Sequence, residues 1–499
     1  MNTSMRSNIG PSTGRRGLAV LLALCASAAA LAAPGAAAAR EPSRVTAAPP
    51  AIGWGPCPRP DPPSPEPGPR AECATVRVPL DWSDPQGPKT GVFVARQRAA
   101  DPARRIGVLM SNPGGPGAPG ADDALYADDP YEGYDPAMLQ RFDMVGFDPR
   151  GIGRSQGARC DESILDSMPS RPRDAAEFER LRTLNGRLAE SCLRRTGPLA
   201  AHMDTESVAR DMDAIRAALG EPRISFLGHS YGTLIGERYA RLFPGRLRAL
   251  ALDSAVDPDL SGAERYLTDG SVTVDGALRR LARWCAGETE CALHGHDLMA
   301  VTRELFARAD AGTLREPGPD GPAPARVTAD QLSALLTFTA GRGMPESAAR
   351  QLAALRTGRG EVHWSSGGSN EIATRLVLCR DNDLRMRDYA HYRAIRERVA
   401  RAAPGVRHNA QALDFVLDCQ GWPLPPRPRP ARAGGAPPPV LVVNATHDLA
   451  TPLPGARRMA RAFPRATLRT VDTVGHWLYR FGMPERRVID DWLTAGRGN

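Results

Sequence analysis

Lysine is almost absent from this 499-residue chain, since Lys89 is the only lysine among 64 basic residues. The arginines are scattered among acidic residues and form no basic run. The net charge of +8 therefore indicates a solvated surface and no nucleic-acid partner. No G-x-x-x-x-G-K-[ST] loop is present to cradle a phosphate, and no C-x-x-C pair or His/Cys cluster has zinc-binding spacing. We expect no metal and no other cofactor.

Long apolar runs are also scarce. One run at 18–31 follows two arginines and precedes an A-x-A cleavage sequence at 37–39. This run is too short for stable insertion into a membrane. The pattern predicts a signal peptide at 1–39 and a secreted protein. Lipoprotein anchoring through Cys25 is the less favoured alternative.

The cysteine count agrees with export. Nine cysteines, less Cys25, leave eight in the predicted mature chain, an even number that suits an oxidising compartment. We hypothesise four disulfides between cysteines that are neighbours in the sequence: Cys57–Cys73, Cys160–Cys192, Cys285–Cys291 and Cys379–Cys419. Many other connectivities are allowed, so the sequence alone leaves the pairing open.

Short apolar runs alternate with helical patterns along much of the chain. The segments "ATVRVPLDW" and "GVFVARQRA" alternate apolar and polar residues and predict an antiparallel hairpin. Six further apolar runs predict a mostly parallel sheet with crossover helices; they lie at 106–110, 142–147, 224–228, 247–253, 439–444 and 466–471. The fold class is therefore α/β.

The alternation stops in one long region, where helical patterns and proline-rich edges replace it. Because the strand pattern resumes afterwards, we interpret the region as a mainly helical cap inserted into the α/β core. A wholly separate domain is less favoured, and a monomer is expected. The predicted boundaries are a proline-rich arm at 40–70, the first part of the core at 71–253, the cap at 254–438 and the second part of the core at 439–499.

A Gly-x-Ser-x-Gly pentapeptide stands between a predicted strand and a predicted helix. Its serine is Ser230, and its glycines are Gly228 and Gly232. A serine on a sharp strand-to-helix turn takes a strained backbone and exposes its hydroxyl, which explains the glycine on each side. The context predicts a nucleophile, against the alternative of a tight turn with an idle serine.

A serine nucleophile needs a base, and the expected order in this topology is serine, acid, histidine. Asp448 follows a late strand, and His476 follows the last one. His476 would take the proton from Ser230, and Asp448 would orient the imidazole. His447 is a competing candidate beside Asp448, and Asp472 is the main rival acid, although it lies too near His476 in sequence.

The acyl intermediate also needs donors for its oxyanion. One donor should be the backbone N–H of Tyr231, which follows the nucleophile, and the other should come from the loop after an early strand. The glycine-rich segment "SNPGGPGAPG" at 111–120 occupies that position.

Several motifs together resemble the tripeptidyl branch of the prolyl aminopeptidase family, which consists of secreted serine peptidases with the α/β-hydrolase fold. They occur in the family's order: "SNPGGPGAPG", "DMVGFDPRGIGRS", "GHSYGT", "NATHDLATP" and "GHW". The resemblance implies that Ser230, Asp448 and His476 form a triad and that Gly115 and Tyr231 form the oxyanion hole. Two residues depart from the pattern, since Pro119 replaces a usual serine and Trp477 replaces a common glycine.

The resemblance further implies an exopeptidase that acts on peptides with a free N-terminus. Such an enzyme needs carboxylates to pair with the substrate's desolvated ammonium group. Asp381 resembles the family's acidic position after a cysteine, and Asp383 and Glu264 are weaker candidates. Two alternatives remain open: a carboxylesterase or lipase-like hydrolase with the same triad, and a non-catalytic binding protein on a hydrolase scaffold.

Overall fold

The computed structural model describes residues 52–58, 66–130, 133–318, 325–364, 371–479 and 482–496. The predicted signal peptide at 1–39, Cys25 and most of the predicted arm at 40–70 lie outside the described residues.

Within the described residues, nine strands form one sheet in the order β1-β2-β3-β5-β4-β6-β7-β8-β9. The predicted hairpin is β2–β3, and these strands pair antiparallel, as do β1 with β2 and β3 with β5. Strands β4 to β9 pair in parallel, which confirms the α/β prediction. The strands are β1 Gly55–Pro56, β2 Ala71–Pro79, β3 Lys89–Gln97, β4 Gly107–Asn112, β5 Phe142–Phe147, β6 Ile224–His229, β7 Leu247–Asp253, β8 Val440–His447 and β9 Ala466–Val474.

Helices connect the parallel strands and cover both faces of the sheet. The α-helices are α1 Asp122–Leu125, α2 Pro136–Arg141, α3 Ala175–Thr196, α4 Thr205–Ala218, α5 Gly232–Leu242, α6 Ala263–Gly287, α7 Leu298–Asp310, α8 Ala329–Phe338, α9 Pro345–Thr357, α10 Glu371–Asp381, α11 Tyr389–Ala402, α12 Ala410–Asp418, α13 Leu453–Arg461 and α14 Pro484–Ala495. Short 3₁₀ helices occur at Pro102–Arg104, Glu162–Ser167, Gly197–His202, Pro244–Arg246 and Ala340–Arg342.

The interval between β7 and β8 is mainly helical, as the sequence predicted. It contains α6 to α12. One apolar core of this region includes Leu278, Leu336 and Leu352, all fully buried. Because apolar side chains lose contact with water there, the helices are stabilised mostly by packing on one another. The boundaries at 254 and 438 stay a prediction.

Each of the four predicted cysteine pairs is joined in the structure: Cys57–Cys73, Cys160–Cys192, Cys285–Cys291 and Cys379–Cys419. Four disulfides are typical of proteins that reside in an oxidising, extracellular environment. Within the described ranges, none of the helices combines the length and the apolar character that a bilayer crossing requires.

The parallel strands all finish at one edge of the sheet. Strands β4, β6, β7 and β8 end at Asn112, His229, Asp253 and His447. In open α/β sheets, ligands bind beyond the carboxyl ends of the strands. This edge therefore carries the candidate site.

Candidate active site

Ser230 occupies the sharp turn between β6 and α5, where its φ is 52°. Non-glycine residues avoid this left-handed region, so the contacts around Ser230 must stabilise it. Its backbone N–H donates to the carbonyl oxygen of Asp253 at 3.0 Å. A Cβ at Gly232 would collide with the carbonyl oxygen of Asn112, so the glycine lets the loop that follows β4 approach the turn.

That loop contacts the turn most closely at Gly114, whose φ is 92°. A Cβ there would lie 2.5 Å from the backbone nitrogen of Tyr231 and 2.6 Å from the carbonyl oxygen of His229. Only glycine fits this position, because real Cβ atoms do not come so close to backbone atoms. The segment 111–120 therefore lies directly against the serine turn.

His476 and Asp448 form a tight pair. The imidazole Nδ1 lies 3.0 Å and 2.9 Å from the two carboxylate oxygens of Asp448. Asp448 is fully buried and also accepts the backbone N–H of Ala450, at 3.0 Å, and that of Thr451, at 2.9 Å. The hydroxyl of Thr451 donates to the same carboxylate at 2.7 Å. These contacts orient the imidazole so that Nε2 is available as a base.

The rival residues lie elsewhere. The side chain of Asp472 is 78 % exposed and pairs with Arg280. His447 lies at the end of β8 with its ring beside Gly276, and burial lowers the pKa of this histidine. The structure pairs His476 with Asp448, not with Asp472.

One cavity of about 700 Å³ brings most of the predicted site residues together. Its wall includes Ser230, His476, Gly115 and Tyr231. A volume of this size is typical of small-molecule and peptide sites, which occupy roughly 300–1,000 Å³. A serine, a base and two backbone segments able to supply N–H donors at one cavity are the parts that acyl transfer requires.

The helical region supplies much of the rest of the wall. Apolar side chains there include Leu260, Leu378 and Phe415. Charged wall residues include Asp257, which follows β7, and Asp269 of α6. The cavity therefore lies between the strand ends and the helical region.

Asp381 does not stand among the wall residues, although the sequence suggested that it binds the substrate's N-terminus. Its carboxylate accepts the Tyr231 hydroxyl at 2.8 Å and the backbone N–H of Thr205 at 2.9 Å. Burial, together with the charge of Asp204, raises the pKa of Asp381 to about 6. The structure thus places Asp381 as a partner of Tyr231.

The weaker candidates are engaged as well. Asp383 forms an ion pair with Arg385 at 2.8 Å, and Glu264 forms one with Arg398 at 2.6 Å. Neither acid lines the cavity.

Two acids of the described residues line the cavity but were not predicted from the sequence, Asp257 and Asp269. Both bind Arg458 of α13, with the Asp257 carboxylate 2.7 Å from the Arg458 Nε. Burial raises the pKa of Asp257 despite this contact. Asp257 could have been suspected, since it lies just beyond the carboxyl end of a strand; nothing in the local pattern distinguishes Asp269.

The two departures from the family pattern have different outcomes. Trp477 lines the cavity and takes a φ of 69°. Its ring packs on His229, with 5.0 Å between the ring centroids. Pro119 lies beside Gly153, and nothing in the structure explains why a proline stands there.

A serine on a strained turn after a parallel strand, opposite a buried carboxylate–histidine pair, is the arrangement with which hydrolases form acyl intermediates. By this criterion the protein is a serine hydrolase. Residues 107–482 match the family described as the alpha/beta hydrolase fold, and the chain belongs to that family.

Three relatives are similar over most of their length. The serine protease Hip1 of Mycobacterium tuberculosis is 30 % identical, covering 89 % of this chain and 88 % of the relative. The tripeptidyl aminopeptidase of Streptomyces coelicolor is 29 % identical, covering 81 % of this chain and 77 % of the relative. Carboxylesterase B of Mycobacterium tuberculosis is 33 % identical, covering 81 % of this chain and 80 % of the relative.

Proposed function

We propose that the protein is a secreted serine exopeptidase that releases tripeptides or other short segments from the free N-terminus of a peptide. The observation that carries this proposal is the cavity between the strand ends and the helical region, whose lining includes Ser230 and the carboxylates of Asp257 and Asp269. An extended tripeptide is about 10 Å long at 3.3–3.6 Å per residue, and a cavity of about 700 Å³ can accept it.

The chemistry assigns one role to each residue. His476 Nε2 takes the proton of the Ser230 hydroxyl while Oγ bonds to the scissile carbonyl carbon, and Asp448 stabilises the imidazolium that forms. Backbone N–H groups of Gly115 and Tyr231 stabilise the oxyanion. The intermediate collapses as His476 gives its proton to the leaving amine. A water then repeats the sequence on the acyl-enzyme and frees the short peptide.

The substrate's ammonium group needs an acceptor within the cavity, and Asp269 is the residue that we assign to it. One oxygen of Asp269 binds Arg458, and the side chain remains 24 % exposed. Asp257, which binds Nε of the same Arg458, adds a second negative charge to the lining of the cavity. Asp257 also lies 3.6 Å from Arg265, so its charge is balanced more fully than that of Asp269, which makes Asp269 the better partner for a cation.

Secretion is supported by the four disulfides, since the predicted signal peptide at 1–39 lies outside the described residues. Four disulfides persist in oxidising compartments and are rare in the cytosol. A peptidase that acts on free N-termini outside the cell is consistent with that environment.

A carboxylesterase is the second candidate, and two observations favour it. Carboxylesterase B is 33 % identical to the chain, and the cavity wall includes the apolar Leu260, Leu378 and Phe415. Both activities use the same acyl-enzyme, so the triad alone does not separate them.

A panel of chromogenic substrates tests the proposal. It compares peptides of one to three residues with free and with blocked N-termini, and includes short-chain esters. We expect free peptides to react fastest; equal rates on free and blocked peptides would contradict exopeptidase action.

Ser230→Ala should abolish turnover and leave folding intact. If a fluorophosphonate fails to label Ser230 in the intact protein, the non-catalytic binding function gains support.

A further inference from the structure

Asp253 contacts the backbone on both sides of the candidate site. It ends β7 and is fully buried. Its carbonyl oxygen accepts the N–H of Ser230, whereas its carboxylate accepts the N–H of Leu478 at 3.1 Å and that of Tyr479 at 2.9 Å. Leu478 and Tyr479 closely follow His476 in the sequence. A single residue therefore holds the backbone of the serine turn and the backbone of the histidine loop.

A second histidine orients this carboxylate. Nδ1 of His229 lies 3.0 Å from a carboxylate oxygen of Asp253, and His229 is only 2 % exposed. Burial alone would raise the pKa of Asp253, but the hydrogen bonds from His229 and from the backbone N–H groups outweigh burial and lower it. The ring of His229 also packs on Trp477 and Tyr479.

Three strained residues converge on Asp253. Ser230, Ser254 and Trp477 have φ values of 52°, 57° and 69°. The backbone N–H of Ser230 donates to the carbonyl oxygen of Asp253, and Ser254 follows Asp253 in the chain. The backbone N–H of Trp477 donates to the Ser254 hydroxyl at 2.7 Å. Strain of this kind persists only where the surrounding contacts over-determine the backbone.

We propose that Asp253, oriented by His229, is a positioning residue that fixes the loop of His476 relative to Ser230. The inference rests on the proposed roles of Ser230 and His476. Asp253 is not the acid of the triad, because its carboxylate is occupied by His229 and the loop, whereas His476 pairs with Asp448. It acts through the backbone that carries the catalytic groups.

The positioning of these backbone segments matters because the reaction rate depends on geometry. Catalysis requires the base and the nucleophile in near-attack geometry, and a displacement of about 1 Å can cost on the order of 100-fold in rate. Without the Asp253 carboxylate, the N–H groups of Leu478 and Tyr479 would be buried without an acceptor, so the loop would move to find another one.

Asp253→Asn is the first test. The amide keeps the size of the side chain, but its NH₂ group would face the backbone N–H donors of Leu478 or Tyr479. We expect kcat to fall on the order of 10- to 100-fold, with KM unchanged. The rate at which a fluorophosphonate labels Ser230 should fall in the same proportion. The control is Asp143→Asn at the start of β5, where Asp143 pairs with Arg105 at the opposite edge of the sheet; both rates should stay unchanged.

Two substitutions at His229 separate the hydrogen bond from ring packing. His229→Asn keeps an N–H donor near the Nδ1 position, and His229→Phe keeps the ring without a donor. We expect the asparagine variant to retain more kcat than the phenylalanine variant. The reverse order would overturn the orienting role of His229.

The outcomes are distinguishable. A folded Asp253→Asn protein with unchanged kcat and unchanged labelling, or with a change in KM alone, overturns the inference. If Asp253→Asn does not fold, Ser254→Ala serves instead, because it removes the acceptor of the Trp477 backbone N–H and a hydroxyl that donates to the Asp253 carboxylate at 3.3 Å. This variant should lower kcat without changing KM; an unchanged kcat in it and in His229→Phe overturns the inference. If the wild-type protein is not labelled at Ser230, the proposed function itself fails.

Discussion

The hydroxyl of Thr451 donates to a carboxylate oxygen of Asp448 at 2.7 Å and lies 3.3 Å from Nδ1 of His476. Thr451 is itself buried. It therefore fixes the carboxylate that fixes the imidazole, and it also contacts that imidazole.

Replacing Thr451 by valine keeps the shape of the side chain and removes this hydroxyl. A hydrogen bond to a charged group contributes about 1.5–3 kcal/mol, so we expect kcat to fall roughly 10- to 100-fold. Thr451→Ser restores the hydroxyl and should recover most of the activity. Steady-state kinetics on the best peptide substrate provide the measurement. Equal kcat values for the valine variant and the wild type would show that the Asp448 carboxylate does not need this donor.

Gly114→Ala should disable the site. The new Cβ would lie 2.5 Å from the backbone nitrogen of Tyr231, and the φ of 92° is unfavourable for alanine. Either the loop or the serine turn must move, and we expect a loss of kcat on the order of 100-fold. Gly245→Ala is the matched control, because a Cβ there meets no atom within 4 Å. Activity similar to wild type in Gly114→Ala would argue against close contact between loop and turn.

Asp269→Asn tests recognition of the substrate's amine. Under the proposed function, loss of the negative charge beside Arg458 should raise KM for free peptides about 10-fold and leave blocked esters unaffected. Glu264→Gln is the control, because Glu264 pairs with Arg398 away from the wall. A preference for free over blocked N-termini that survives in Asp269→Asn would require a different ammonium ligand.

The raised pKa of Asp381 predicts that this residue's contribution to stability depends on pH. Its pKa in the folded protein is about 6, against 3.8 in the unfolded chain. The folded state therefore binds the proton of Asp381 more tightly than the unfolded chain does, so the contribution of Asp381 to stability falls as pH rises from about 4 to 6. A shift of this size corresponds to at most about 3 kcal/mol. The melting temperature of Asp381→Asn should therefore rise relative to that of the wild type as pH increases across this range.

The control for that measurement lies two residues away. The hydrogen bond from Arg385 lowers the pKa of Asp383, so ionised Asp383 stabilises the fold above its unfolded pKa. Asp383→Asn should therefore lose a little stability relative to wild type as pH rises through about 4, the opposite sign to Asp381→Asn. Parallel pH profiles for the Asp381→Asn variant and the wild type would contradict a raised pKa at Asp381.

The sequence was sufficient for the features that depend on local pattern. The runs at 142–147 and 247–253 match β5 and β7 residue for residue, because short apolar segments between helical patterns have few other uses in an α/β chain. The pairing of Asp448 with His476 also follows from order along the chain, since the topology brings the ends of β8 and β9 together.

The sequence was not sufficient for the acids of the site. Asp381 follows a cysteine in a motif-like context, but its partners, Tyr231 and Thr205, are distant in the chain and only the folded structure reveals them. Asp253 is inconspicuous in the sequence for the same reason, because its role depends on the N–H groups of Leu478 and Tyr479. Which carboxylate reaches a cavity is a property of tertiary packing.

The insertion of the helical region between β7 and β8 also separates the proposed catalytic residues in the order of their synthesis. A ribosome completes Ser230 more than two hundred residues before it reaches Asp448 and His476. Under the proposed roles of Ser230 and His476, the growing polypeptide carries a hydroxyl without a base until β8 and β9 join the sheet, and such a hydroxyl is a poor nucleophile at neutral pH. Under these roles, hydrolytic chemistry can begin only after His476 has been synthesised and its loop has reached the serine turn.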